Sequence, residues 1–519
     1  MARVVDKESG GALTLNSWPA PEEGMGGEAE LKRALGLGYA TLFGVGLILG
    51  AGIYVLIGRA AGFAGDAVWA SVLFASVIAL TTGLSYAELS SMYPTAASTH
   101  TYVEQAFPGR RALAFTAAWL IFYEGVAGAA TAAVGFSRYF TQLLGLGEEL
   151  IPWVSLALIA VLSVVNWAGI EESATLTVLF TFVEAAGLLL VASLGLMMPA
   201  RSPNYLAFNP SLDPVTAMLL GAAVFYFAFT GFELQPTLSE ETREARRTIP
   251  LAILLALMLT SALYLLVALA AVRLMPWQAL AESRAPLADA AAVAWPPAYH
   301  LLMGIALFST SNTVLGFLVS SSRLLYGLAE EGVVSSSFGR VDSRRRTPYV
   351  AVAAAGALAA FTILISVYVP QLTGLELRVG EVEYKLVDVV GKTSSLSCIL
   401  AFTAVNAAVI VLRLRAPEAP RAFRVPLSLG TIPLPPLLSI ALILAFISIS
   451  FLDPVVWLST GVLIVSPAAP RRAVERGRIK ALIEERLGLP YYHPFEIHVL
   501  TPEEAEPYLR RARRVIKVG

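Results

Sequence analysis

Two apolar stretches of this chain are interrupted by glycine at matching places, Gly44-Val-Gly-Leu-Ile-Leu-Gly-Ala-Gly52 and Phe227-Ala-Phe-Thr-Gly-Phe-Glu233. Unwound backbone at membrane depth is tolerated only where protein or a water-filled cavity covers its freed N–H and C=O groups, so each break marks a site. The chemistry on offer is capture of a zwitterion. Backbone N–H groups at Gly50, Ala51 and Gly52, at the positive end of a half-helix, suit a carboxylate. Carbonyls of Phe227, Ala228 and Phe229, at the end of the other half-helix, suit an ammonium group. Such a site grips both charges of a solute without burying a charged side chain. The plain alternative, that these glycines only let helices pack closely, does not account for a glycine cluster with a counterpart in a second segment. Phe225, Tyr226, Phe227, Phe229 and Phe232 surround the second break. Phe229 and Phe232 flank Thr230-Gly231 and are the candidates for pocket wall and gate, whereas the others read equally well as packing.

Ionisable side chains inside apolar segments are costly and are functional candidates by default. Glu184 shares a helical face with Ser173, Thr177 and Thr181, at spacings of four, four and three, so a polar stripe points away from lipid. A buried carboxyl can take and release a proton, which makes Glu184 a candidate for coupling; a permanent structural hydrogen bond is the competing reading. Ser309, Asn312, Thr313, Gly316 and Ser320 form a second polar face, with Ser311 beside it. Their oxygens suit a sodium ion, yet such hydroxyls also bond back to their own helix. Glu124 lies in line with Gly128, Thr131 and Gly135, a small-residue face suited to close helix contact, and is either a substrate contact or a packing residue. Lys392 reads as a side chain that snorkels to the interface.

The elements that must position these residues follow from composition. The 519 residues are 56% hydrophobic and 14% charged, with a mean hydropathy of +0.69. Spanning the hydrocarbon takes about 20 apolar residues per helix, and twelve stretches qualify, at roughly 35–58, 67–87, 111–140, 151–168, 174–198, 214–233, 249–275, 298–327, 349–369, 386–412, 431–451 and 453–468. The expected fold is an all-α polytopic membrane protein. The breaks fall in the first and sixth stretches, the first of each successive set of five. Lys32, Arg33, Arg110, Arg111, Arg243, Arg246, Arg247, Arg340, Arg344, Arg345, Arg346, Arg413, Arg415, Arg421 and Arg424 concentrate at the segment ends on the terminus side, so both termini are expected in the cytoplasm. No cleavable signal peptide is apparent in residues 1–34. The single cysteine, Cys398, lies inside a span and excludes an intramolecular disulfide.

Beyond Pro467-Ala-Ala-Pro470 the chain turns polar. Residues 475–487 read as an amphipathic helix, Phe495–Leu500 as a short strand and Thr501-Pro-Glu-Glu504 as a helix start, giving a small cytoplasmic tail over 469–519. Its Glu475, Glu484, Glu485, Glu503, Glu504 and Glu506 offset the basic residues, which argues against nucleic acid as a partner. Enzyme chemistry has no seat: His100, His300, His493 and His498 are scattered, and neither metal-ligand spacing, a phosphate loop nor a nucleophile elbow is present. No cofactor is expected beyond a coupling proton or sodium ion.

Several separate motifs carry a family resemblance: Gly50-Ala-Gly-Ile-Tyr-Val55; Leu84-Ser-Tyr-Ala-Glu-Leu89 with Tyr93-Pro-Thr-Ala-Ala97; Glu240-Glu-Thr-Arg-Glu-Ala-Arg-Arg-Thr-Ile-Pro250; Ser322-Arg-Leu-Leu-Tyr-Gly-Leu-Ala-Glu-Glu-Gly332; and Arg421-Ala-Phe-Arg-Val-Pro426. In this order and spacing they resemble the amino acid-polyamine-organocation superfamily of permeases, in particular its cationic amino acid transporter-like prokaryotic branch, over residues 33–466. The resemblance implies inverted five-helix repeats at 35–198 and 214–412, two further helices at 431–468, and alternating access for amino acids at the cell membrane. It also implies a substrate site at Ile48, Gly50, Ala51, Gly52, Phe227, Ala228, Phe229 and Gly231. Many proton-coupled relatives carry lysine at the position of Glu184; this chain departs from that pattern, which leaves proton symport, exchange of amino acids, and a non-transporting sensor acting through the tail all open. Relatives with cationic substrates often carry a glutamate at the position of Glu124. The cytoplasmic motifs are expected to exchange ion pairs, with Glu240, Glu241, Arg243, Arg246 and Arg247 meeting Glu88 or Arg323, or else to form a solvated loop.

Overall fold

The computed structural model describes residues 31–50, 52–374, 377–379 and 382–450. Ala51, the twelfth stretch at 453–468 and the tail lie outside the described residues. The first stretch is two helices, α1 (Leu37–Leu49) and α2 (Gly52–Ala64), and the second is α3 (Val68–Met92). A short helix α4 (Thr99–Ala106) leads into α5 (Arg111–Leu144), followed by α6 (Ile151–Ala168) and α7 (Ile170–Met197).

The sixth stretch begins as α8 (Pro214–Tyr226), tightens into a 3-10 turn over Phe227–Phe229, and continues as a 3-10 helix over Phe232–Glu241. Asp213 starts α8 by accepting a hydrogen bond from the Thr216 N–H at 3.0 Å, with Pro214 in the first turn, where the missing proline N–H costs nothing. Then come α9 (Ala245–Leu274), the short α10 (Trp277–Glu282) and α11 (Pro286–Ala294), and α12 (Ala298–Glu330). The ninth stretch is α13 (Tyr349–Ile363), a wider π turn over Leu364–Tyr368 and α14 (Val369–Thr373); α15 (Leu386–Arg415) and α16 (Leu434–Ser450) follow. Among the described residues, nine helical runs are long and apolar enough to cross a membrane, with α1 and the apolar part of α16 as shorter apolar helices. Two small antiparallel hairpins, Leu377–Val379 with Val382–Tyr384 and Ser428–Leu429 with Ile432–Pro433, sit in connections. They are the only strands among the described residues.

Segments in corresponding positions of the two halves pack on each other: α2 on α8, α3 on α9, α5 on α12 and α6 on α13. This is the pairing that a two-fold relation between the halves produces. Between them lie two apolar cores, one built around α2, α3, α8, α9 and α15 and the other around α5, α6 and α12. Outward-facing apolar side chains such as Trp153, Val161, Leu179, Phe182 and Phe361 stay exposed, as a lipid-facing surface requires.

The sixth segment extends eight residues beyond the expected end at 233. Glu240 and Glu241 therefore belong to its second half rather than to a solvated loop, and Glu241 is fully buried. Glu241 pairs with Arg323 of α12 at 3.0 and 3.1 Å, and Arg323 also donates to the Asn166 side chain of α6. Glu88 of α3 takes a different set of partners from those expected. It accepts from Arg413 at 2.7 and 2.6 Å, from Arg421 at 2.8 Å and from the Val425 N–H at 2.8 Å. The Arg421–Pro426 motif thus folds back to neutralise one buried carboxylate.

Candidate functional site

Both breaks are real, and a single hydroxyl joins them. The α1 helix stops at Leu49, and Gly50 adopts φ +27°, ψ −172° before α2 begins at Gly52. In the sixth segment Thr230 is extended and Gly231 takes φ +122°. A Cβ on Gly231 would stand 2.8 Å from the Leu47 carbonyl oxygen of α1, and one on Gly52 would stand 3.3 Å from the Ala228 Cα. The two breaks therefore approach backbone to backbone, and at Gly231, with its positive φ, only glycine permits it. The Tyr264 hydroxyl of α9 sits 2.7 Å from the Ile48 carbonyl, 3.1 Å from that of Leu49 and 3.0 Å from that of Ala228. The last carbonyls of a helix have no partner within it, and here one phenol stands within hydrogen-bond reach of carbonyls from both breaks and donates to one of them at a time. Nothing in an apolar run of α9 distinguishes Tyr264 by spacing, so sequence reasoning missed it.

The expected roles of the sixth-segment backbone need adjustment. Phe227's carbonyl accepts from the Thr230 N–H at 3.4 Å and its hydroxyl at 3.0 Å, while that of Ala228 faces Tyr264. Of the three carbonyls expected to meet an ammonium group, that of Phe227 thus already has donors, and that of Ala228 shares the Tyr264 hydroxyl with those of Ile48 and Leu49. The N–H of Gly231, which opens the second half, donates to both oxygens of Glu233 at 2.7 and 2.9 Å. The first-turn N–H groups of α2, by contrast, have no acceptor within their helix. Phe229 and Phe232 are both fully buried and diverge from the break. The Phe229 ring meets Phe225 and Tyr264 edge-on, and Phe232 stacks on Phe402 with centroids 5.4 Å apart while Tyr86 meets it edge-on.

The structure brings Glu184 and the polar face of the eighth segment together beside the α1 break. A Cβ on Gly46 would lie 2.2 Å from Thr181 Oγ1 and 2.5 Å from Asn312 Nδ2; one on Gly50 would lie 2.7 Å from Thr313 Oγ1. Asn312 Nδ2 donates to Glu184 Oε2 at 3.2 Å and to Thr181 Oγ1 at 3.1 Å. Glu184 is wholly buried. Its Oε1, together with Ser309 Oγ, Asn312 Oδ1, Thr177 Oγ1 and the Tyr54 hydroxyl, has no hydrogen-bond partner. Buried polar atoms are nearly always paired, so these are the groups at this place with hydrogen-bonding capacity to spare. The Tyr54 hydroxyl approaches α7 at Gly187, where a Cβ would be 3.2 Å away. Thr313 donates back to the Ser309 carbonyl at 3.1 Å, as Ser311 does to that of Leu307 at 2.8 Å.

Glu124 lies where the third segment meets the sixth, eighth and tenth. Its neighbour Gly128 is pressed against the Phe317 ring of α12, as the small-residue face implies. The carboxyl itself lies beside Glu233 and Cys398. Sequence reasoning gave neither partner a role, because the three lie far apart along the chain.

Among the described residues, nine apolar helical runs long enough to cross a membrane and two matched helix breaks define a polytopic helical membrane protein. Its family follows from comparison: the amino acid permease family model matches residues 40–466, and the chain belongs to that family. It is 27% identical over 461 residues to the branched-chain amino acid permease BcaP of Bacillus subtilis (strain 168), covering 84% of this chain and 93% of that protein. It is 29% identical over 414 residues to cationic amino acid transporter 2, vacuolar, of Arabidopsis thaliana, covering 75% of this chain and 61% of the relative. A methylthioribose transporter of Bacillus subtilis (strain 168) is 25% identical over 458 residues, covering 84% and 93%. Membership makes the chain a transporter of the amino acid permease type rather than an enzyme.

Proposed function

We propose that the protein carries amino acids across the cell membrane by alternating access, with the solute held between the breaks at Gly50 and Gly231 and a proton taken up at Glu184. The supporting observation is the placement of Glu184: wholly buried, one oxygen bonded to Asn312 and the other unpaired, next to the α1 break that would hold the substrate carboxylate. A proton arriving there changes the hydrogen bonds of α7 and α12 against α1, which links charge to the shape of the site. The five-helix repeats at 35–198 and 214–412 would rock about it, with 431–468 outside them.

Sodium is the second reading, favoured by the unpaired Ser309 Oγ and Asn312 Oδ1. The cargo's side chain stays undivided between classes, because the similar permeases bear names for branched-chain and cationic amino acids and for methylthioribose. The orientation with both termini in the cytoplasm rests on the Lys and Arg distribution. Reconstituted liposomes offered pooled radiolabelled amino acids, with proton or sodium gradients and with empty or preloaded lumens, provide the test. Proton-stimulated uptake into empty vesicles is the expected result. Uptake that needs preloading would replace symport with exchange, sodium stimulation would move coupling to α12, and binding without flux would make the protein a sensor.

A further inference from the structure

We propose that Glu124, Glu233 and Cys398 form a site for a thiophilic divalent cation of the zinc and cadmium class, at the meeting point of the third, sixth and tenth segments. One ligand atom from each of the three lies within 4.8 Å of the others, and none of the residues is more than 1% exposed. Two carboxyl groups and a thiol side by side out of water cannot all be ionised unless a proton or a cation lies between them. Within the cluster, Glu124 Oε2 is buried and without a hydrogen-bond partner. The Glu233 carboxylate is already aimed: both oxygens hold the Gly231 N–H, leaving other lone pairs free and fixing the group as an outer-shell contact fixes a metal ligand. Ser394, one turn before Cys398 on α15, donates to the Glu124 carbonyl at 3.0 Å and so clamps α15 to α5 at the level of the ligands.

The donor set selects the ion. A thiolate with two carboxylates totals three negative charges against two, and a sulfur ligand favours zinc or cadmium over sodium, magnesium or calcium. Binding releases the thiol proton of Cys398. Tetrahedral bonds of about 2.3 Å to sulfur and 2.0–2.2 Å to oxygen place ligand atoms about 3.4 Å apart, so the cluster closes by about 1.4 Å at most, within the reach of side-chain rotation. An ion there would tie the second half of the sixth segment to α5 and α15, two residues from the Gly231 break, and so oppose the movement that transport requires. Its path in is the opening of the bundle itself.

The test exploits the single cysteine of the chain: in full-length purified protein, any cadmium–thiolate charge-transfer absorption reports Cys398 alone. One equivalent of cadmium per chain should raise this band, Cys398→Ser should abolish it, and Glu124→Gln should weaken binding at least about tenfold. Glu233→Gln replaces Glu124→Gln if the latter does not elute as a monodisperse protein. In liposomes, cadmium should block amino acid uptake by the wild type and leave Cys398→Ser unaffected. That arm rests on the transport reading, whereas the absorption titration does not, so the two fail separately. Absence of the band, or a band of undiminished affinity in the glutamine variants, overturns the site.

Discussion

Tyr264→Phe removes one oxygen atom from the junction of the two breaks and leaves the ring, with its edge contacts to Phe225 and Phe229. The hydroxyl is within 3.1 Å of the carbonyls of Ile48, Leu49 and Ala228. It can donate to one of them at a time, so one buried hydrogen bond is lost, with an acceptor left short of a donor, at a cost of about 1–3 kcal/mol. If that cost falls on the arrangement that binds substrate, affinity drops about 5- to 150-fold. Equilibrium binding of a radiolabelled amino acid that the liposome screen identifies, measured with the melting temperature of both proteins in detergent, reads the two effects apart. A dissociation constant within twofold of wild type would refute the claim that this hydroxyl holds the breaks in register for the solute, even if the melting temperature fell.

Three further changes probe the remaining contacts. Gly50→Val places methyl groups where a Cβ alone would be 2.7 Å from Thr313 Oγ1, at φ +27°; substrate binding should vanish while the protein still elutes as a folded species, and retained binding would dismiss the site assignment. Glu184→Gln keeps the size and the hydrogen-bonding capacity of the side chain but cannot carry a proton, so uptake should lose its dependence on a pH gradient; an unchanged pH profile would leave Glu184 a structural residue. Glu241→Gln strands the fully buried Arg323 and should destabilise the protein by about 3–5 kcal/mol, whereas Glu241→Leu with Arg323→Met should cost less than the single change. Thermal stability assayed by size exclusion checks both, and a single variant as stable as wild type would show that the pair carries no such energy.

Apolar length and glycine placement were enough to read the class of fold. Backbone in lipid must satisfy itself, so spans appear as long apolar runs and breaks as glycine clusters, both local signals. The burial of Glu184 with Thr177 and Thr181 was legible for the same reason, since a helix period is written in consecutive residues. Glu88's partners were not, because the chain between Arg413 and Arg421 folds back in a way no period records. Nor was the extent of the sixth segment, whose second half is a polar 3-10 helix with Pro236 inside it and lacks the apolar run that announces a span.

What the sequence by itself determined is therefore the membrane setting, the family motifs and the two places where helices must break. Only the tertiary structure decided that Tyr264 serves both breaks, that Gly231 is capped by Glu233, and that Glu124, Glu233 and Cys398 share one buried corner. The second of these turns on the backbone conformation at Gly231; the first and the last join residues from different helices, and helix–helix packing is set by side-chain shape across the whole bundle. Spacing along a single chain carries no record of it.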